Sequence, residues 1–276
     1  MSKVQLSTEV TDEDWASAWT DEYGVKYSQD RKRLLECTNR KLSNYKILEG
    51  TEVICDSAFF YCHSLWQIVL PNGVNSIGYS AFSGCSSLQQ IVLPDSVIFI
   101  GNSAFSECSS LQHIILPASV TAIGNRTFLG CSSLQQIVLP GSVTSIGDRA
   151  FLFCHSLQQI ILPAGVTSIG NDFFWDCDSL QEIVIPAGVT SIGDYAFEDC
   201  LSLQQIVLPA GVTFIGYRAF GCCESLQQII LPAGVTSIGN DAFQYCSSLQ
   251  KIIIPRHTRD KFEKLLPEYK NKLVEQ

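Results

Sequence analysis

The sequence predicts a β-rich solenoid: stacked 23-residue turns with parallel strands, covered at both ends. Three observations predict it. Cysteine recurs at positions 62, 85, 108, 131, 154, 177, 200, 223 and 246, always 23 residues apart. Phenylalanine recurs at 59, 82, 105, 128, 151, 174, 197, 220 and 243 with the same period. Between the two columns runs a fixed grammar, an apolar alternation such as Ile91-Val92-Leu93, then Pro94, then Gly101. Independent columns held in register over nine copies mean a repeat protein, to be read by column.

The elements follow in chain order. Residues 1–24 form an acidic N-terminal segment, in which Thr11-Asp12-Glu13-Asp14 has the signature of a helix start. Trp15 and Trp19 stand four apart, one helical face, and are expected to dock on the first layer. Residues 25–64 make an N-terminal cap and a worn first repeat. Residues 25–41 read as a hairpin turning near Gln29-Asp30, and seven of the 18 basic residues lie between Lys26 and Lys46. The worn copy starts at Leu42, with Leu48 where the proline belongs and Cys55 where the glycine belongs.

Residues 65–255 carry the repeats proper. Eight complete copies run from Leu65 to Ser248, and the strand half of a ninth continues through Pro255. In each copy the fourth and sixth positions are apolar, as Ile91 and Leu93, which is strand periodicity. The proline that follows has no N–H for a ladder and ends the strand. A second extended piece such as Val143–Ile146 comes next, and its glycine is expected to supply a backbone conformation other residues resist. Ala150-Phe151 is expected to pack inward from a helical turn. No single unit can bury its own Leu, Ile, Val and Phe, whereas stacking buries them as continuous columns. Residues 256–276 form a helical C-terminal cap, with Phe262, Leu265 and Leu266 as one apolar set and Tyr269 and Leu273 as another. Pro267 is expected at the first turn of a second helix.

The stretch LQQIVLPGSVTSIGDRAFLFC, Leu134–Cys154, resembles the BspA-like leucine-rich repeat family, and eight such copies in register make the resemblance specific. It implies a right-handed leucine-rich repeat superhelix and a role in binding, commonly as a surface adhesin of bacteria or protists. It implies no catalytic residues.

Composition narrows the function classes. Hydrophobic residues make up 46% of 276 and charged residues 16%, which excludes intrinsic disorder. Acidic residues outnumber basic ones 27 to 18, for a net charge of −9, the wrong balance for a nucleic-acid partner. No apolar run has the length of a membrane span, so no membrane insertion is expected. The first twenty residues hold no apolar signal region, so the sequence by itself points to the cytoplasm. The family resemblance points instead to a surface or secreted protein.

Catalytic chemistry finds no foothold. His63 and His155 share one column four layers apart, His113 lies on the strand face, and His257 follows the last strand. GxSxG, HExxH, Walker and GxGxxG motifs are all missing. Zinc sites gather their cysteines, typically through CxxC pairs, whereas these are strung along the stacking direction with no CxxC. The cysteine column therefore reads as small buried thiols. Cys222 sits in a variable column and is either an oxidisable thiol or incidental. No cofactor, metal or catalytic residue is expected.

The strand face is the candidate site. If positions one, four and six point inward, position five points out, giving the column Val69, Val92, Ile115, Val138, Ile161, Val184, Val207, Ile230 and Ile253. Position three beside it is mostly glutamine. One account is structural: β-branched residues suit strands, and stacked glutamines share amide hydrogen bonds. The other is functional, an exposed aliphatic stripe that binds protein. On this reading His113, Gln136, Val138, Gln159, Ile161, Glu182 and Val184 are the contact residues of the face. Arg149, Trp175 and Tyr195 join them from the variable columns, because aromatics and arginines dominate interfaces. The expected function is a non-catalytic scaffold with a protein partner; the alternative is a secreted or surface adhesin for host or matrix proteins.

Overall fold

A computed structural model describes residues 5–276; residues 1–4, the beginning of the expected acidic segment, lie outside the described residues. The chain divides into two compact units, Met1–Val143 and Thr144–Gln276, each a parallel-strand β-solenoid of 23-residue turns.

Each turn contributes two short strands. In the first unit the three-residue strands Asn44–Lys46, Gln67–Val69, Gln90–Val92, His113–Ile115 and Gln136–Val138 form one five-stranded sheet. Pairing is parallel and advances one repeat per layer: His113 faces Gln90 on one side and Gln136 on the other. The two-residue strands Val53–Ile54, Ser76–Ile77 and Phe99–Ile100 make a second sheet. In the second unit Gln159–Ile161 pairs with Glu182–Val184, and Gln205–Val207, Gln228–Ile230 and Lys251–Ile254 stack in sequence. Its two-residue strands Ser168–Ile169, Ser191–Ile192, Phe214–Ile215 and Ser237–Ile238 form a four-stranded sheet.

The remaining side of the turn, from glycine to cysteine, is no helix. Local and interlayer bonds alternate along it: Ala81 N–H donates back to Gly78 O at 3.3 Å, while Phe82 N–H donates to Ala104 O of the next layer at 2.8 Å. A helix would turn every N–H inward on its own chain; here every second one ties two layers together. The alternation requires left-handed backbone at two positions per turn. One is the column Ser57, Ser80, Ser103, Arg126, Arg149, Asp172, Tyr195, Arg218 and Asp241, with φ between 49° and 60°. The other runs from Tyr61 through Gly84, Glu107, Gly130, Phe153, Asp176, Asp199 and Cys222 to Tyr245.

The glycine of each Ile-Gly pair has a different reason from the one expected, since its φ is not left-handed. A Cβ built on Gly193 would lie 2.6 Å from the carbonyl carbon and oxygen of Gly170 in the layer beneath. The glycine is there because two backbones touch. Cys55 takes that place in the first layer, where an N-terminal segment rather than a complete turn lies beneath it: Leu6, Val10 and Ala18 pack on Leu35, Val53 and Cys55.

Phenylalanines stack face to face through the core. In the first unit Phe59, Phe82 and Phe105 follow at 5.3 and 5.5 Å with rings within 7° of parallel. In the second, Phe197, Phe220 and Phe243 follow at 5.2 and 5.6 Å. These spacings suit offset aromatic stacking. The cysteine column does more than fill space. Cys85 Sγ donates to Phe59 O at 3.2 Å, Cys108 to Phe82 O at 3.2 Å, and Cys223 to Phe197 O at 3.1 Å, always one layer back. A small thiol there satisfies a buried carbonyl that a methyl group would leave with one partner fewer. The twelve cysteines are not joined in disulfides, and burial pushes the thiols of Cys85, Cys108, Cys131, Cys177, Cys200 and Cys223 above the usual range.

The ends differ from expectation in detail. Thr11 and Asp14 close a capping box on the helix Asp12–Ala16, which stops before Trp19. Trp19 belongs to the strand Trp19–Thr20, paired with Val25–Tyr27, so the two tryptophans share no helical face. Neither is buried in the first layer: Lys26 sits over the Trp15 ring and Arg31 over the Trp19 ring. Strands Val25–Tyr27 and Arg33–Cys37 form the antiparallel hairpin, and the second of them pairs in parallel with Val53–Ile54. At the C-terminus Phe262 is buried in the helix Arg259–Leu265. Pro267 opens a 3-10 helix ending at Lys272 rather than a second α-helix. Leu273 then enters a strand, Leu273–Glu275, parallel to Lys251–Ile254. The final ladder is thus covered by one more strand as well as by a helix.

Candidate binding surface

Period-two alternation sets the strand face. In Gln90-Ile91-Val92 the isoleucine is buried, while Val92 is 77% exposed. In the first unit Val69, Val92, Ile115 and Val138 all stand out from the sheet. In the second, Ile161 is 80% exposed, Val184 75% and Val207 56%, whereas Ile230 and Ile253 are half-buried. Backbone N–H and C=O groups are committed to the parallel ladders, so side chains alone are free to recognise anything on this face.

His113 and Gln136 flank Val138 from the exposed third position in the first unit, and Gln159 and Glu182 flank Ile161 and Val184 in the second. The amide of Gln228 donates to Gln205 Oε1 at 3.2 Å, one rung of the expected glutamine ladder. Successive strands leave shallow hollows between their outward residues. One of about 430 Å³ is bordered by Glu182, Val184, Gln205, Val207 and Pro209.

Arg149, Trp175 and Tyr195 are carried by the glycine-to-cysteine segment of their turns, not by strands. Arg149 and Tyr195 occupy left-handed positions. Arg149 Nε pairs with Asp172 Oδ2 at 3.0 Å, and the Trp175 indole N–H donates to Asp199 Oδ2 at 3.0 Å. Trp175 stacks on Tyr195 at 5.5 Å, and Tyr217 meets Tyr195 edge-on at 5.3 Å. The three residues therefore belong to a second surface, an aromatic and charged ridge of the second unit, separate in sequence from the strand residues.

Sequence reading missed two clusters on that ridge. His155 Nδ1 lies 3.4 Å from Asp178 Oδ2 and 4.0 Å from Asp176 Oδ1. Burial and the neighbouring Asp178 carboxyl raise the Asp176 pKa. The signal was available, since Asp178 is one period beyond His155. Glu198 carried no such signal: it stands in a variable column, yet its side chain is 3% exposed. Arg218 Nη2 lies 2.8 Å from Glu198 Oε1, and the half-buried Cys222 Sγ is 3.9 Å from the same oxygen.

Desolvation pushes the Glu198 carboxyl from 4.5 up to about 6 despite Arg218. The folded state therefore binds this proton more tightly than the unfolded chain. The associated stability is fully present below pH 4.5 and is lost as pH rises through 6. Between those values the wild type is expected to gain about 2 kcal/mol relative to Glu198→Gln as pH falls, read from denaturation midpoints across the range. Parallel pH curves for the two proteins would contradict it.

Compared with known proteins, residues 52–181 and 167–265 match the BspA type leucine-rich repeat region, in six copies. The chain is a BspA-type leucine-rich repeat protein. Its fold agrees with others of that repeat class. A leucine-rich cell surface protein from Faecalibacterium prausnitzii A2-165 is 26% identical, with a TM-score of 0.58 over 86% of this chain and 88% of that one. A leucine-rich repeat protein of T. pallidum is 26% identical, with a TM-score of 0.54 over 93% and 95%. One from Eubacterium ventriosum is 23% identical, with a TM-score of 0.56 over 81% and 72%, a likeness of fold alone. No protein of curated function matches the sequence. Among the described residues, no helix is long and apolar enough to cross a membrane.

Proposed function

We propose that this leucine-rich repeat protein is a non-catalytic scaffold that binds a protein partner through its strand face, with the ridge of Arg149, Trp175 and Tyr195 adding selectivity. One observation carries the reading. Within each unit, in layer after layer, a β-branched apolar residue is held out of the sheet beside buried neighbours, Val92 at 77% exposure in the first and Ile161 at 80% in the second. Single exposed valines need no explanation, but an aligned row of them is the kind of patch that marks an interaction site. Burying such side chains on a partner contributes roughly 25 cal/mol per Å². The uncharged glutamines beside the row can hydrogen-bond a polypeptide without the desolvation cost of a charge.

A second reading, an adhesin displayed at the cell surface, is favoured by the Faecalibacterium relative, which is described as a cell surface protein. In either compartment the partner meets the same face. Val138→Lys combined with Val184→Lys is expected to abolish partner capture while leaving stability within about 0.5 kcal/mol, because both sites are exposed. Capture is measured with immobilised wild-type and double-variant protein, in parallel against cytosolic and extracellular fractions. Undiminished capture by the folded variant would overturn the strand-face assignment, and the fraction that yields the partner separates the two readings.

A further inference from the structure

The cysteine ladder changes at its first rung. Cys85, Cys108 and Cys131 each point their sulfur at a phenylalanine carbonyl one layer back. Cys62 instead has the Cys37 thiol as its neighbour, whose Sγ donates to Asn39 O at 3.4 Å, and receives Arg40 Nη1 at 3.3 Å. Cys37 is not a column residue. It ends the hairpin strand Arg33–Cys37, so it comes to Cys62 from extended backbone rather than from a stacked copy of the same turn. Its N–H is tied to Ala58 O at 2.6 Å, which fixes the hairpin end against the first turn. Over the pair lies the exposed loop 38–41, whose Arg40 also donates to Phe60 O.

We propose that Cys37 and Cys62 are a disulfide-forming site, oxidised by low-molecular-weight disulfides, that links the terminal hairpin to the worn first turn of the first unit. The chemistry balances as two exchanges. The Cys62 thiolate attacks the small disulfide RSSR, forming Cys62–S–S–R and expelling one thiolate, RS⁻. The Cys37 thiolate then attacks Cys62 Sγ, forming the protein disulfide and expelling the second RS⁻. The two protons lost by the cysteines end on the two RSH released. The neighbouring Cys37 thiol and Arg40 hold the Cys62 pKa below the usual thiol value, which makes Cys62 the first attacker; Cys62 and burial raise Cys37, which makes it the second. Burial does the opposite along the ladder, raising Cys85, Cys108 and Cys131. Nucleophilicity in exchange follows the thiolate fraction and access. Displacing the short loop 38–41 supplies access here, while the other rungs need a solenoid turn to open.

The competitor is Cys222, half-buried and outside the column, so the test uses Cys222→Ser. Folded protein is held with oxidised glutathione at mildly alkaline pH, quenched with an alkylating agent in denaturant and mapped without reduction. Expected is a single cross-linked peptide pair containing Cys37 and Cys62, with the thiols from Cys85 to Cys246 alkylated as free cysteines. Adding Cys37→Ser should stop the reaction at a glutathione adduct on Cys62, and Arg40→Gln should slow cross-linking several-fold. A stable adduct on Cys62 with Cys37 present would overturn the proposal. So would cross-linking within the ladder, at Cys223 and Cys246 for example, at an equal rate. Thiols that stay reduced in the folded protein while the denatured chain oxidises would also overturn it.

Discussion

Gly193→Ala is expected to cost roughly 4 kcal/mol or more, placing it among the rare, diagnostic single substitutions. The new methyl group would lie 2.6 Å from the carbonyl carbon and oxygen of Gly170 and 2.7 Å from Asn171 N. These are backbone atoms, so no rotamer change relieves the contact. The layers would have to separate, and they are joined at that point by Gly193 N–H to Ile169 O at 2.8 Å and by the pairing of Ser191 with Ser168. Gly141→Ala is the matched comparison, because nothing lies within 4 Å of its added Cβ. Alanine already fills that column at Ala164, Ala187, Ala210 and Ala233. Its effect is expected to stay within about 0.5 kcal/mol, on the stabilising side if anything. Denaturant midpoints of the two variants give the answer; similar values would mean that the Ile-Gly glycine serves chain flexibility and not close approach.

Phe173→Ala is expected to cost about 3 kcal/mol, even though it restores the residue most turns carry at that position. The ring is fully buried, 4.7 Å from Phe174 and 5.7 Å from Phe151. Two outcomes compete. If the layer could relax to the geometry of its alanine-bearing neighbours, the loss would be near zero. Interiors collapse only partly around a deleted side chain, and the Phe151–Phe174 spacing is already an ordinary 5.5 Å, so no closer approach of those rings would fill the void. Equilibrium unfolding decides between them. A loss under about 1 kcal/mol would show that this layer is as plastic as a consensus turn.

Much of this was legible in the sequence because the period does the work of a contact map. Once 23 residues equal one layer, Arg149 predicts a neighbour at Asp172 and His155 one at Asp178, and both pairs are observed. Alternation likewise placed Val92 and Ile161 outside the sheet. What could not be read depends on direction rather than on column. The Ile-Gly glycine signalled special φ from its residue type, but its cause is a backbone one layer away. Arginine and tyrosine in the variable columns gave no hint that their backbone is left-handed, since neither favours that region as glycine does. At the ends no column exists, and the misreadings gather there. Trp15 and Trp19 carried helical spacing, but a strand formed at Trp19 because the hairpin strand Val25–Tyr27 offered it a partner. Leu273 likewise joined an open sheet edge where a helix was expected. Glu198 looked like surface because a lone acid usually is; Arg218 is what permits its burial.

The two left-handed columns carry a consequence for how such proteins diversify. Each of these positions would be easiest for glycine, yet Gly84 and Gly130 are the only two glycines among them. A bulky residue in left-handed backbone sacrifices on the order of 1 kcal/mol of conformational ease. Helices and strands filter substitutions by propensity, favouring one residue class over another; this segment disfavours nearly every side chain to a similar degree. Tyrosine, arginine and phenylalanine thereby become near-equivalent choices for the backbone, with aspartate somewhat easier. Randomising these positions should give a library in which variants differ little in folding and widely in what they recognise, with glycine enriched only when selection is for stability alone.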